Sequence, residues 1–201
     1  PSTLKFIDIA GLVKGASQGQ GLGNQFLGHI RSVDAIAHVV RLFDDPDVVH
    51  VDAEPDPVND LEVIMTELML ADLDVLEKRR DRAHKLARSN DADAKLEFEL
   101  VKEMAAQLGE GKIPTYDKDN PKVAALVKSF ELLTLMPAFV CANTDEETFK
   151  NFDANPKAKH LAEYAAQHGL EVVPVCAKLE DELGQLEPED AAMFMEEIGI
   201  R

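Results

Sequence analysis

Three short groups of residues, far apart in the chain, carry side chains suited to holding a phosphorylated ligand. Asp8 closes the apolar run 4–9, and Gly11 follows three residues later. A carboxylate there can hold Mg²⁺ directly or through water, and a glycine lets its backbone N–H approach a phosphate unobstructed. Asn143-Thr144-Asp145-Glu146 follows the apolar run 137–142, and Cys176-Ala177-Lys178 closes the run 171–176. An amide and a carboxylate at this spacing can read the donors and acceptors along the edge of a planar base. Each group also has a plainer reading. A D-x-x-G tetrapeptide arises readily by chance as a strand end with an Asx-type turn. Asp145 and Glu146 fit the N-cap and first turn of a short helix.

Other chemistries fit less well. In the stretch DIAGLVKGASQGQGLGNQ, residues 8–25, the glycines Gly15, Gly19, Gly21 and Gly23 have the wrong spacing for a dinucleotide cradle and begin too late after the apolar run. The stretch reads as a mobile loop. No His, Cys and Asp arrangement has zinc spacing. His29 falls on a predicted helix and His38 on a predicted strand, and both read as structural.

The elements that must position these groups follow from hydrophobic periodicity. Run 4–9 reads as a short buried strand. A helix over 24–32 follows, with Phe26, Leu27 and Ile30 on one face, then a strand over 35–43 and an acidic loop, 44–57, with three prolines. Strand, helix and strand in this order suggest a parallel βαβ sheet. The pattern then turns helical. Leu61, Ile64, Met65, Leu68, Leu73 and Leu76 recur over 58–88, and Leu96, Leu100, Met104 and Leu108 over 91–108. Ser89-Asn90-Asp91 supplies a turn and an N-cap between them. The two segments predict an antiparallel helical hairpin inserted into the sheet domain, and a third helix over 121–133 leads back. Strands over 137–142 and 171–176 flank a helix over 156–168, and a last helix covers 189–198. The expected division is therefore 1–56 and 134–201 for the α/β part and 57–133 for the helical insertion. All three groups then lie at the C-terminal ends of parallel strands, where open α/β sheets bind ligands.

Composition narrows the partners. The 201 residues carry a formal charge of −17, so any polyanion must meet a local basic patch. Lys78, Arg79, Arg80, Arg82, Lys85 and Arg88 form such a patch near the predicted hairpin tip, opposed within the run only by Asp81. It suits rRNA or an acidic partner. It equally suits a solvated helix face with cations near the C-terminal end of the dipole, and no aromatic residues interleave to favour either reading. No apolar run approaches the ~18 residues of a membrane span. Cys141 and Cys176, the two cysteines, end apolar runs and read as buried reduced thiols, which suits the cytosol.

The three groups match, in order, motifs of P-loop NTPases: the D-x-x-G phosphate motif, the N-x-x-acid base motif, and the S-A-K loop that supports the base. DIAGLVKGASQGQGLGNQFLGHIRSVDAIAHVVRLFDD, the helical insert, LMPAFVCANTDE, VVPVCAKLE and EEIGI closely resemble the YchF/Obg-like ATPase family over essentially the whole chain. The resemblance implies a mostly parallel G-domain sheet interrupted by a coiled-coil-like helical hairpin. It also implies a cytoplasmic, ribosome-associated hydrolase that uses Mg²⁺ and prefers ATP to GTP. Asp8 would hold the metal. Gly11, Asn143, Thr144, Glu146, Cys176, Ala177 and Lys178 would line the nucleotide with it. Leu12 stands where Ras-type enzymes carry a water-orienting glutamine, and His50 matches a histidine to which the family assigns a hydrolytic role. The aspartate usual at the fourth position of the base motif accepts hydrogen bonds from guanine N1–H and its 2-amino group. Adenine has neither donor, and here the fourth residue is Glu146 and the second is Thr144.

The 201 residues contain no G-x-x-x-x-G-K-[ST], and the one Lys-Ser pair, Lys128-Ser129, sits within a predicted helix. The resemblance places a P-loop upstream of 4–9 and a small β-rich TGS domain downstream. The chain is thus expected to be an internal fragment, inactive alone, of an active hydrolase. The competing expectation is a non-catalytic module that docks on the ribosome or on a protein through the hairpin.

Overall fold

A computed structural model describes residues 3–9, 22–43, 56–87 and 91–198. Three apolar runs become strands β1 (Ile36–Arg41), β2 (Ala138–Asn143) and β3 (Val172–Val175), ordered β1-β2-β3 in one sheet. β2 and β3 are parallel, with Val140 opposite Val172 and Asn143 opposite Val175. β1 runs the same way: Ile36 N–H donates to the Pro137 carbonyl and Leu42 N–H to that of Asn143, so both partners advance together. This is the mostly parallel α/β arrangement expected from the sequence.

The crossover from β2 to β3 carries α5 (Glu146–Lys150) and α6 (Pro156–Gln167), numbered after four earlier helices described below. Asn155 caps α6 by accepting from the N–H groups of Lys157 and Ala158, and Pro156 supplies a preset first-turn φ. Ala158, Leu161 and Ala165 are buried. The helix stops where Gly169 takes a left-handed φ of 68° and Leu170 N–H bonds back to Ala165. Pro174 sits within β3 at no cost to the ladder. Glu171 and Val175 turn their carbonyls to β2, so Pro174 faces the other side, where its missing N–H breaks no described bond. Two further helices, α7 (Ala177–Gly184) and α8 (Pro188–Ile198), follow β3.

The remaining helices are α1 (Leu22–Ile30), α2 (Pro57–Ala87), α3 (Ala92–Gly109) and α4 (Pro121–Lys128). The chain divides into two compact units, Pro1–Ile36 with Leu61–Pro137 and Ala37–Asp60 with Ala138–Arg201. In the first, Leu27, Ile30, Leu68, Ala71 and Leu133 form a buried cluster, with Phe26, Ile64 and Met136 packed on it. Helical spacing on α1 and α2 makes this possible, because residues three and four apart share a face. Asp91 caps α3 as the sequence suggested, accepting from Asp93 and Ala94. α3 returns alongside α2. Arg79 pairs with Glu97 at 3.1 Å, donates to the Ser129 carbonyl and lies 4.7 Å over the Phe130 ring, while the His84 and Phe98 rings lie 5.4 Å apart at a 41° tilt.

Three expectations need correction. Residues 3–9 form no strand, and Leu4 and Phe6 are 77% and 79% exposed. A strand exists only where a neighbour satisfies its backbone, and an apolar run does not reveal whether one is present. The third helix ends at Lys128 rather than 133. Ser129 bonds back to Leu126 and Glu131 adopts a left-handed φ of 52°, which ends the spiral. α7 was not anticipated.

Asp72 secures the turn after α4. Its Oδ1 accepts from Leu133 N–H at 2.8 Å, and Oδ2 accepts from Thr134 N–H at 2.8 Å and the Thr134 hydroxyl at 2.7 Å. Burial pushes its pKa up, and the donated hydrogen bonds and the Arg31 charge oppose that rise. Asp72→Asn turns an amide N–H₂ toward a backbone donor. It is expected to lower the unfolding free energy by roughly 2–4 kcal/mol in urea titrations at neutral pH; an unchanged midpoint would contradict the anchoring role.

His38 on β1 is buried, and burial lowers its pKa from 6.5 to about 4. The folded state holds it neutral while the unfolded chain protonates it below 6.5. Its stabilising contribution is therefore complete above 6.5 and falls as pH drops toward about 4. His38→Leu should remove about 3 kcal/mol of acid destabilisation, measured as the difference in unfolding free energy between pH 7 and pH 4.

Candidate functional site

Parallel strands send their C-terminal ends to one edge, so the loops after β2 and β3 emerge side by side. Asn143 ends β2 opposite Val175, which ends β3. Thr144 fixes the exit: its N–H donates to the Val175 carbonyl at 2.8 Å and its hydroxyl to the same oxygen at 3.3 Å. Thr144 is buried, and its donors are spent between the strands.

The Asn143 side chain joins the two loops. Its Oδ1 accepts from Ala177 N–H at 3.2 Å. Cys176 occupies the N-cap of α7 and makes no side-chain cap bond, a thiol being a weak acceptor. The first N–H of α7 is satisfied by Asn143 instead. Cys176 is buried and Cys141 half-buried, both are free thiols, and burial pushes the Cys141 pKa up, away from a reactive thiolate.

The two acids after Thr144 divide their work. Asp145 caps α5, its Oδ1 accepting from Thr148 N–H at 2.7 Å, as the plainer reading anticipated. Glu146 opens α5 with its carboxylate toward solvent, and Lys178 Nζ stands 4.0 Å from its Oε1. Asn143, Thr144, Glu146, Cys176, Ala177 and Lys178 are thus one constellation. What sequence reasoning missed is the bond that joins it and the ion pair on its rim. The signal for α7 was present in Leu179 and Leu183 at helical spacing and in Lys178 and Glu182 four residues apart.

Asp8 belongs to the other compact unit. Among the described residues no three His, Cys, Asp or Glu side chains are grouped to hold a metal. A lone carboxylate nevertheless fits Mg²⁺, which takes one or two carboxylates and completes its shell with water and phosphate oxygens. Gly11, Leu12, His50 and Arg88 lie outside the described residues. The basic cluster is thinned by partners: Lys78 pairs with Asp74, Arg79 is an internal anchor, and Arg80 lies 3.9 Å from Asp81, while Arg82 and Lys85 are exposed. A separate recess of about 660 Å³, lined by Phe149, Phe152, Leu170 and Pro174 among others, contains none of the expected nucleotide residues.

Residues 1–80 match the family model described as 50S ribosome-binding GTPase. The structure of the Schizosaccharomyces pombe YchF GTPase superposes with a TM-score of 0.76 at 31% identity, covering 96% of this chain and 53% of that one. The fold is thus that of the GTPase-type α/β proteins. The ribosome-binding ATPase YchF of Bacillus subtilis is 44% identical across all of this chain and 55% of its own length, and that of Escherichia coli O157:H7 is 44% identical across all of this chain and 54% of its own. The chain belongs to the YchF family and spans about half the length of the curated relatives it matches.

Asn143→Ala removes the acceptor for Ala177 N–H without disturbing the bonds of Thr144. The Ala177 amide should then exchange with solvent roughly tenfold faster, the size of one lost hydrogen bond. Amide exchange followed by NMR measures this, and an unchanged rate would show that the link is not made in solution.

Proposed function

We propose that the full-length gene product carrying this chain is a ribosome-associated nucleotide hydrolase that prefers ATP to GTP, acting in the cytoplasm. The observation that carries the reading is the Asn143–Ala177 bond. It sets an amide, a glutamate and a helix N-terminus around one edge of the sheet, where a base can lie. The names of the relatives, ribosome-binding ATPases, support both the nucleotide and the ribosome.

In this reading Asn143 contacts the base edge, Glu146 takes the place of the guanine-reading aspartate, and the Cys176–Lys178 turn backs the base. Asp8 holds Mg²⁺ and Gly11 approaches the terminal phosphate. The metal supplies charge neutralisation as the phosphoryl group transfers. Leu12 has no group to orient water, so His50 takes that part. The helical segment 57–133 is an insertion between the halves 1–56 and 134–201 of the nucleotide domain. Its exposed Arg82 and Lys85 are the cations best free to meet rRNA. The 201 residues contain no G-x-x-x-x-G-K-[ST], so this stretch alone is proposed to be inactive.

Calorimetric titration of the full-length product in Mg²⁺ tests the reading. ATP should bind at least several-fold more tightly than GTP, and the isolated 201 residues should show no micromolar affinity for ATP. Tighter GTP binding would overturn the ATP preference. Ribosome binding without turnover of either nucleotide would favour a non-catalytic docking module.

A further inference from the structure

Glu146 opens α5 and Lys178 lies in the first turn of α7, at the same edge of the sheet, and their charged ends approach each other. Lys178 Nζ lies 4.0 Å from Glu146 Oε1 and 4.0 Å from Glu182 Oε1. The backbone brings them together, since Asn143 takes the first N–H of α7 and Thr144 is bonded to the end of β3. Asp145 is committed to the Thr148 N–H, and Glu146, half-exposed at the start of α5, is the acid of this loop that approaches Lys178 beside the amide read here as base-contacting.

A carboxylate reads guanine by accepting two hydrogen bonds side by side, from N1–H and the 2-amino group, and this needs both oxygens open. Adenine carries no donor at either place, so competition for that carboxylate costs it nothing. We propose that Lys178 is a positioning residue whose ammonium, 4.0 Å from one oxygen of Glu146, partly neutralises that carboxylate and competes with guanine's paired donors for it, sharpening selection of ATP over GTP. The inference rests on the nucleotide reading of this edge. Glu182 competes for the same ammonium from the next turn of α7. Its order, lysine before glutamate, is the less favourable one for residues four apart on a helix. Neutralising Glu182 therefore releases Lys178 to Glu146.

The test is the ratio of GTP to ATP dissociation constants, measured by calorimetry on the full-length product. The variants are Lys178→Met, Lys178→Arg, Glu182→Gln, Glu146→Gln and the double variant Lys178→Met/Glu146→Gln. Lys178→Met should tighten GTP relative to ATP by roughly threefold, the modest size expected of an exposed pair. Lys178→Arg should keep the wild-type ratio, and Glu182→Gln should move it the opposite way. In the Glu146→Gln background Lys178→Met should change nothing. If Glu146→Gln shifts the ratio and Lys178→Met does not, the positioning role is overturned and the nucleotide site stands. If Lys178→Met acts equally in both backgrounds, the role does not run through Glu146. Should neither variant shift the ratio, or neither nucleotide bind, the reading of this edge fails with it.

Discussion

One hydrogen bond, from Ala177 N–H to the Asn143 side chain, joins the two loops on which the candidate site depends. It is possible because β2 and β3 are parallel and end in register, Asn143 opposite Val175. It is needed because Cys176 stands where a serine or aspartate would cap α7 and cannot do the same work. Thr144 adds two bonds to the end of β3, so the exit of one strand is fastened to that of the other. The placement of Glu146 against Lys178 follows from this fastening.

In so acidic a chain, the work of each carboxylate is set by the donors around it. Asp72 lies buried among two backbone N–H groups and a hydroxyl and holds a turn. Asp91 and Asp145 lie at helix N-termini and satisfy amides that would otherwise lack partners. Glu146 meets an ammonium at the rim of the site, and Glu97 meets the inward-turned Arg79. Local donors decide which acid anchors and which stays at the rim; the total charge does not.

Much of the fold was legible because its signals are local. The apolar runs 137–142 and 171–176 became β2 and β3 within a residue or two, and Asp91 took the cap its neighbours suggested. What was illegible depended on partners distant in sequence. Run 4–9 has the composition of a strand, but composition does not supply a neighbour to pair with it. The basic run near residue 80 looks uniform as letters. In the fold Arg79 turns inward to Glu97, Ser129 and Phe130, while Arg82 stays exposed. For the site, the order of the motifs was readable, whereas the Asn143 and Lys178 contacts across the two loops were not.

The central claim is that a nucleotide base lies against residues 143–146 and 176–178 at one sheet edge. Hydrogen–deuterium exchange of the full-length product, with and without ATP and Mg²⁺, tests it most directly. Backbone amides in both segments should become protected together when ATP is added. Protection confined to other parts of the molecule, with both loops unchanged, would contradict it.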